Sequence, residues 1–190
     1  MTDDPHVLIV DDDPDLAELY GTWLEEHCTI ETALDGTDAL EAIDGSVDVV
    51  LLDRRMPGLS GETVLETVRE RELDCRVAMV TAVVPDFDVV ELGFDEYLLK
   101  PISKAQLQAV IERLWLRSTY DDQLREFFSL ASKKALLDSQ RIDPERRASL
   151  EYARLEDRLA VMRTRVDETA TELLDRDDSR RLCQDITRER

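Results

Sequence analysis

The sequence predicts an α/β domain with a parallel five-stranded sheet, followed by an α-helical hairpin or coiled coil. Three observations lead to this prediction. Short apolar runs alternate with amphipathic segments five times in about the first 118 residues, which is typical of a parallel sheet with helices on both faces. Most of these runs end in acidic, hydroxyl or amino side chains. From residue 119 the periodicity is purely helical, so we predict domains at 1–118 and 119–175, with a polar tail at 176–190.

The first two strands are each followed by a short helix. Residues 6–10 (HVLIV) predict a strand, and Pro14 suits the first turn of the helix that follows, with Asp13 as its N-cap. A second strand is predicted over residues 29–33, and a second helix over residues 37–43 after an Asp-Gly turn. The first strand therefore runs directly into three consecutive aspartates.

The third strand is the most apolar of the five. Five of the six residues at 47–52 are apolar, which predicts a strand buried on both faces. Asp53 follows it, the chain turns at Met56-Pro57-Gly58, and Ser60 is expected to cap a helix running to about residue 71. A carboxylate at a strand end is held by a rigid element and still meets solvent. In open α/β sheets, that edge is where ligands bind.

The fourth and fifth strands also end in polar groups. Residues 76–80 (RVAMV) predict a strand followed by Thr81, and residues 95–99 predict a strand followed by Lys100. Ser103 is expected to cap the next helix. Four of the five strands thus deliver polar side chains to the same edge of the predicted sheet.

The last third of the chain predicts two helices. Residues 121–140 form one amphipathic segment, Asp143-Pro144 interrupts it, and Pro144 opens a second helix. Positions spaced alternately by four and three residues mark a coiled-coil seam in the second helix: Ala148, Tyr152, Leu155, Leu159, Met162, Val166, Thr169 and Leu173. Residues 175–190 lose this repeat and are expected to form a frayed or disordered tail.

The residues at the strand ends suit phosphoryl-transfer chemistry. Asp11, Asp12 and Asp53 would repel one another without a cation, and hard oxygen ligands of this kind suit Mg²⁺. A nucleophile, a metal, a cation and a hydroxyl are the parts that phosphoryl transfer needs, and Lys100 and Thr81 supply the last two. Taken singly, each residue has a plainer interpretation as a helix-capping acid, a strand terminus or a surface cation. Their joint arrival at one edge favours a functional site.

Four segments, VLIVDDDP, VVLLDRRMPG, VTA and EYLLKP, resemble the signature segments of response-regulator receiver domains. The resemblance covers about the first 118 residues. It implies a flavodoxin-like (βα)5 fold and phosphorylation of Asp53 by a partner sensor histidine kinase, with Mg²⁺ as cofactor. By motif position, it also implies metal ligation by Asp11, Asp12, Asp53 and the backbone carbonyl of Arg55, phosphate binding by Lys100, and a switch pair formed by Thr81 and Tyr97.

Residues 119–175 resemble the HalX domain, a helical module that follows receiver domains in haloarchaeal regulators. The resemblance implies a place in a regulatory protein, with transcriptional regulation as the expected context. One segment departs from the receiver pattern, because residues 85–92 leave room for a fourth helix of barely two turns. The face formed by the fourth and fifth helices often carries dimerisation in the receiver family, so its usual geometry is not expected here.

Two outputs are consistent with the helical part. In one, it binds DNA or the transcription machinery through arginines that could face phosphates: Arg146, Arg147, Arg154, Arg158, Arg163 and Arg165. In the other, the seam drives homodimerisation or recruits a protein partner, and DNA is not contacted. The second is favoured slightly, because acidic residues interleave with the arginines as on a solvated coiled-coil flank.

The helical part is not expected to be an enzyme. After residue 118 the sequence contains no histidine that could carry a phosphoryl group, no Gly-rich phosphate loop and no nucleophile–base pair. The three cysteines lie far apart without a histidine at ligand spacing, so we expect neither disulfides nor a zinc site. No apolar run is long enough to span a bilayer, and we predict a cytoplasmic protein without a membrane partner.

The acidity of the chain is unevenly distributed. Residues 1–118 carry 27 Asp and Glu against 9 Lys and Arg, a net charge of −18, whereas residues 119–190 carry 17 against 15, a net charge of −2. Only four of the 24 basic residues are lysines. A strongly acidic, lysine-poor surface is tolerable where concentrated salt screens its self-repulsion, so we predict a halophilic protein. The alternative interpretation is an acidic domain that merely avoids nucleic acid.

Overall fold

We analysed a computed structural model of the chain that describes residues 4–85, 92–139 and 149–188, with side chains described as far as Arg176. The chain divides into two compact units, Met1–Ser118 and Thr119–Arg190.

The first unit contains one five-stranded sheet in the order β2-β1-β3-β4-β5. Every pair of neighbouring strands is parallel, as the alternation of strands and helices predicts. Because β1 lies between β2 and β3, the connections change direction there, which opens a crevice at the carboxyl edge. The predicted flavodoxin-like fold class is confirmed. The strands are β1 His6–Val10, β2 Thr29–Ala33, β3 Val49–Leu52, β4 Arg76–Thr81 and β5 Glu96–Leu99.

The helices of the first unit begin where the sequence places capping residues. Asp13 accepts hydrogen bonds from the backbone N–H groups of Asp15 and Leu16, and the Ser60 hydroxyl accepts one from Thr63. These two caps are confirmed, and so is the predicted cap Ser103, whose hydroxyl accepts a hydrogen bond from the Gln106 N–H at 3.3 Å. These helices are α1 Pro14–Leu24, α2 Gly36–Ala42 and α3 Gly61–Glu70, and the unit also includes the first part of a longer helix, α4 Lys104–Ser139. The brief helix expected over residues 85–92 falls largely on residues 86–91, which lie outside the described residues.

The core consists of two apolar layers, one on each face of the sheet. Val50 and Leu52 of β3 pack in the layer that includes Val64 and Leu65 of α3. Alternate residues of the same strand, including Leu51, pack in the opposite layer. All four residues of β3 are buried, as expected for a strand covered on both faces. The strand that leads to Asp53 is therefore held on both faces and, by β1 and β4, on both edges.

Helix α4 is longer than the sequence suggests. We expected one helix after Ser103 and another over residues 121–140, but α4 continues without a break over 36 residues. The reason is local, because the segment contains neither glycine nor proline and most of its residues are good helix formers. The change in charge and periodicity near residue 119 marks a change in what the helix packs against rather than its end.

The second unit is an antiparallel helical hairpin built from the later part of α4 and from α5 Leu150–Arg188. The end of α4 contacts the start of α5, where the Tyr152 hydroxyl donates to Asp138 at 2.6 Å. Farther from the turn, the Thr169 hydroxyl of α5 donates to Gln123 of α4 at 2.9 Å. The described members of the predicted seam are all buried or half-buried, which confirms the seam. It packs against α4 of the same chain.

The two ends of α5 differ from the sequence prediction in different ways. The expected opening at Pro144 lies outside the described residues, and the described helix begins after Ser149, whose hydroxyl accepts a hydrogen bond from the Tyr152 N–H. At the other end, the expected frayed tail is wrong over residues 176–188, because α5 continues to Arg188. Loss of the seam does not end the helix: no proline or glycine follows residue 149, and pairs such as Arg176 with Glu172 support it.

Candidate functional site

The ends of four strands meet at the carboxyl edge of the sheet. Val10 of β1 pairs with Leu52 of β3, and Leu52 pairs in turn with Met79 of β4. At the next pair of strands, Thr81 of β4 pairs with Leu99 of β5. The backbone continues this alignment, since the Asp53 N–H donates to the Val10 carbonyl at 2.8 Å and the Lys100 N–H to the Thr81 carbonyl at 2.9 Å. The side chains of Asp11, Asp53, Thr81 and Lys100 therefore share one edge.

Lys100 lies between two buried carboxylates. Its Nζ is 2.6 Å from Oδ2 of Asp11 and 3.4 Å from Oδ1 of Asp53. Asp11 and Asp53 are 3% and 6% exposed, so neither carboxylate can rely on water to disperse its charge. One ammonium group bridges two acids that would otherwise repel each other.

Burial and charge act on this cluster in opposite directions. Burial raises the pKa of Asp11 above its usual value, although the hydrogen bond from Lys100 opposes this rise. Burial alone would lower the pKa of Lys100, but the hydrogen bond and charge of Asp11, with the charge of Asp53, outweigh it and raise that pKa above its usual value. The ammonium form of Lys100 is therefore strongly favoured at neutral pH.

The backbone around Asp53 is closely packed. Oδ2 of Asp53 accepts a hydrogen bond from the Arg55 N–H at 3.2 Å, which directs the carboxylate toward the following loop. Gly61 approaches from the start of α3, where a Cβ atom would lie 2.0 Å from the Asp53 carbonyl oxygen. Only glycine can occupy this position without a shift of the acceptor strand. We did not predict this role for Gly61; its only sequence signal is a glycine directly after the helix cap Ser60.

Thr81 and Tyr97 are joined through a third residue. The Thr81 hydroxyl accepts a hydrogen bond from the Val83 N–H at 3.3 Å, and the Tyr97 hydroxyl donates to the Val83 carbonyl at 2.8 Å. Thr81 is fully buried, whereas the half-buried Tyr97 ring packs against the ring of Phe94. The predicted switch pair is thus linked by one residue, and nothing in the sequence marks Val83 for this role.

The oxygen atoms near Asp53 have the chemistry of a magnesium site. Within the residues that the structure describes, no three acidic, histidine or cysteine side chains form a ready-made metal cluster. Asp12 is exposed, while Asp11 and Asp53 lie beside Lys100. If these three carboxylates are ionised, the four side chains carry a formal charge of −2, which a divalent cation would neutralise. The donor set is oxygen only, as Mg²⁺ prefers, so the residues present fit that ion.

Comparison with known families agrees with this geometry. The model of the response regulator receiver domain matches residues 7–112, more than half of the chain. The chain belongs to the response-regulator receiver family. The model of the HalX domain matches residues 116–183, so a HalX domain follows the receiver domain. Both resemblances inferred from the sequence are confirmed.

Curated relatives match between about three fifths and four fifths of this chain. A candidate transcriptional regulator of Haloferax volcanii is 48% identical over 82% of this chain, and the match covers 28% of that protein. The transcriptional regulatory protein CpxR of Escherichia coli is 38% identical over 62% of this chain, and the match covers 52% of CpxR. The chain therefore matches about a quarter to a half of the length of these relatives.

Solved structures match the receiver domain. The receiver domain of a LuxO-type repressor from Vibrio parahaemolyticus superposes with a TM-score of 0.60 at 26% identity, covering 63% of this chain and 96% of that one. The response regulator TrrA of Thermotoga maritima, solved in complex with Mg²⁺ and a beryllium fluoride, gives a TM-score of 0.52 at 32% identity, covering 58% and 98%. Receiver domains are signalling modules, generally without enzymatic activity of their own, and they typically bind Mg²⁺ at the phosphorylation site.

Among the described helices, none combines the length and apolar character needed to cross a membrane.

Proposed function

We propose that this chain is a two-component response regulator that accepts a phosphoryl group on Asp53 from a sensor histidine kinase. The observation that carries the proposal is the contact of one ammonium group, Lys100 Nζ, with the carboxylates of both Asp11 and Asp53 at the carboxyl edge of the sheet. A nucleophile beside a fixed cation is the arrangement that phosphoryl transfer requires.

In the proposed reaction, an Asp53 carboxylate oxygen bonds to phosphorus while the bond from phosphorus to the donor's histidine nitrogen breaks. The histidine ring retains the electron pair of that bond. Lys100 lies 3.4 Å from Asp53 Oδ1, where its charge can stabilise the negative oxygens of the arriving group. The protein contributes position and charge rather than acid–base chemistry, because no histidine lies among these residues.

A bound Mg²⁺ would supply positive charge to the phosphoryl oxygens. Asp11, Asp12, Asp53 and the backbone carbonyl of Arg55 are the groups that we propose hold it. Asp11 is already fixed by Lys100 and by the Asp13 N–H, which donates to Asp11 Oδ1 at 3.1 Å. Asp12 is exposed, so its carboxylate is accessible to an ion that arrives from solvent.

Thr81 and Tyr97 are the proposed switch. A phosphoryl group on Asp53 adds acceptor oxygens that the Thr81 hydroxyl can approach. Thr81 already accepts from Val83 N–H, so its movement would displace the residue whose carbonyl holds the Tyr97 hydroxyl. Release of that hydroxyl would free the Tyr97 ring to change position, which gives the domain two states.

The proposed output is a change of assembly through the HalX domain. Arg158, one of the arginines considered for DNA contact, pairs with Glu126 at 2.9 Å, and acidic residues surround the others in α5. Arg146 and Arg147 lie outside the described residues. The near balance of charge in residues 119–190 supports contact with protein over contact with phosphates. Because the seam packs within one chain, assembly would use another face of the hairpin.

The test of phosphoryl acceptance is intact-mass spectrometry after treatment with acetyl phosphate and Mg²⁺ in concentrated KCl. The wild-type chain should gain one phosphoryl group, and Asp53→Asn should gain none. Asp48→Asn is the matched control, since Asp48 directly precedes the same strand at its other end and its carboxylate accepts a hydrogen bond from the His6 N–H at 2.8 Å. Undiminished labelling of Asp53→Asn would contradict the assignment of the acceptor.

A further inference from the structure

One flank of the helical hairpin is richer in apolar and small side chains than the other after α4 and α5 have packed together. On α4 it comprises Leu124, Phe128, Ala131 and Ala135, and on α5 it comprises Ala153, Ala160, Ala170 and Leu174, with the exposed Asp167 between Ala160 and Leu174. We call this surface the alanine flank. Phe128 and Leu174 are 59% and 67% exposed, and they lie on the same flank, whereas other exposed apolar residues of the hairpin, such as Leu136 and Val161, lie elsewhere.

Contacts between the helices show that both halves of the alanine flank lie on the same side of the hairpin. The ion pair of Glu126 with Arg158 marks one side of the helix–helix contact. The Tyr152–Asp138 hydrogen bond and the approach of Lys134 to Glu156 at 3.5 Å mark the other side. At 100° per residue, the alanine flank falls on the side of Glu156 and Asp138 on both helices.

The apolar arc of α4 is wider than one partner helix can cover. Leu130 is buried and Phe127 is half-buried, but the ring of Phe128, which packs edge-on against Phe127, is 59% exposed. A shallow depression of about 290 Å³ lies beside Phe128, lined also by Asp121, Leu124 and Arg125. An apolar face wider than a two-helix seam is typical of helices in larger bundles.

The charges on the α5 part of the flank are self-complementary. Glu156 lies one turn before Ala160 and Arg163 lies one turn after it, on the same face. If two α5 helices cross in antiparallel fashion at Ala160, a two-fold axis places Glu156 of each copy opposite Arg163 of the other. Oε1 of Glu156 lies 3.5 Å from Lys134 Nζ of the same chain. The other carboxylate oxygen, Oε2, can accept a hydrogen bond from Arg163 of the second copy.

The distribution of net charge also favours a second copy as the occupant. Residues 1–118 carry −18 and residues 119–190 only −2, so two copies repel each other least through the hairpin. Alanine at positions 153 and 160, two helical turns apart, allows two helix backbones to approach closely. The flank thus combines an apolar surface, small residues at the centre and charges that match their own two-fold image.

We propose that the alanine flank is the surface through which two copies of this chain associate, with the α5 helices crossing at Ala160 to form a four-helix assembly. This inference rests on the proposed assembly output and specifies its contact surface. Each copy contributes the same residues, so the association closes as a dimer and does not continue into a filament.

The first test compares two adjacent substitutions in the full chain. Ala160→Glu places a charge in the proposed interface, whereas Val161→Glu changes the neighbouring residue, which is also exposed but lies on the opposite flank. Light scattering in concentrated KCl, with and without phosphorylation, should show that Ala160→Glu raises the dimer dissociation constant about tenfold or more, while Val161→Glu changes it by less than about twofold. Equal effects of the two substitutions would overturn the proposed surface.

The second test exchanges the charges. Glu156→Arg alone and Arg163→Glu alone each place like charges opposite each other at two symmetric positions, so each should weaken the dimer. The double substitution should restore association, and a double variant no better than the single ones would contradict the crossing at Ala160. Circular dichroism of each variant checks that the hairpin is retained.

A wild-type chain that stays monomeric in both phosphorylation states would contradict the assembly output itself, whereas a wild-type dimer unaffected by these substitutions would contradict only the surface.

Discussion

At the scale of single residues, Lys100 links the stability of the domain to its site. Its side chain is mostly buried, and it is the cation within hydrogen-bonding distance of the carboxylates of Asp11 and Asp53. Its pKa is raised in the folded state, so the folded protein holds this proton more tightly than the unfolded chain. The resulting stabilisation is complete below the unfolded pKa of about 10.4 and is lost as the pH rises through the folded pKa.

Replacement of Lys100 should expose this linkage. Lys100→Met leaves Asp11 and Asp53 without their shared ammonium, and should lower the free energy of unfolding at pH 7 by about 1–3 kcal/mol, a range that allows for partial exposure of the lysine. The difference from the wild type should shrink as the pH rises above about 10.4. Urea denaturation at a series of pH values measures it, with exposed Lys104→Met as the control. A difference that grows with pH would contradict this account.

Gly61 should be indispensable to the position of the acceptor strand. An added Cβ would lie 2.0 Å from the Asp53 carbonyl oxygen, so Gly61→Ala should destabilise the domain by about 1–3 kcal/mol and slow the phosphorylation of Asp53. Gly45→Ala is the matched control, because nothing lies within 4 Å of its Cβ position, and its effect should stay within about 0.5 kcal/mol. Thermal denaturation and intact-mass labelling rates measure the two effects. Equal stability of the two variants would show that the strand moves freely at this point.

At the scale of elements, apolar patterning and capping residues predicted the strands and early helices well. The buried run before Asp53 and the caps Asp13 and Ser60 depend on local chemistry that a single sequence displays. The meeting of Asp11, Asp53 and Lys100 was also predictable, because parallel strands align their carboxyl ends. Val83 was not predictable, since its role depends on backbone groups that every residue possesses.

The length of the helices was the least predictable feature. A change of periodicity near residue 119 and the loss of the seam after Leu173 both suggested helix ends, but α4 and α5 continue through them. Helix termination requires a residue that breaks the backbone pattern, such as proline or glycine, whereas a change of apolar repeat only alters the packing partner.

The seam of α5 should contribute most of the stability of the hairpin. Met162 is buried against α4, so Met162→Ala should lower the free energy of unfolding by about 2–4 kcal/mol. Val161→Ala changes the neighbouring residue outside the seam and should cost less than about 1 kcal/mol. Chemical denaturation followed by circular dichroism at 222 nm, the helix band in the far ultraviolet, measures the two variants side by side. Similar losses for both would mean that the seam is not the main source of stability.

At the scale of the whole molecule, the net charge of −20 should make stability depend on salt. Concentrated KCl shortens the screening length to about 3 Å at 1 M, which weakens the self-repulsion of the acidic first unit. The melting temperature should therefore rise through a KCl series, most steeply at low salt, where repulsion between distant charges is first screened. A flat or falling melting temperature would favour the alternative of an acidic domain that merely avoids nucleic acid. Sucrose at matched water activity controls for effects unrelated to charge.

The double hydrogen bond at Val83 has a consequence for how the receiver domain could be observed in solution. The Val83 N–H donates to the Thr81 hydroxyl, and the Val83 carbonyl accepts from the Tyr97 hydroxyl. Movement of either side chain therefore changes the hydrogen bonding of Val83. The nuclear magnetic resonance signal of the Val83 amide should therefore report both movements at once. If it shifts on phosphorylation in wild-type protein and in Tyr97→Phe alike, the threonine moves independently; if the shift disappears in Tyr97→Phe, the two side chains move as one.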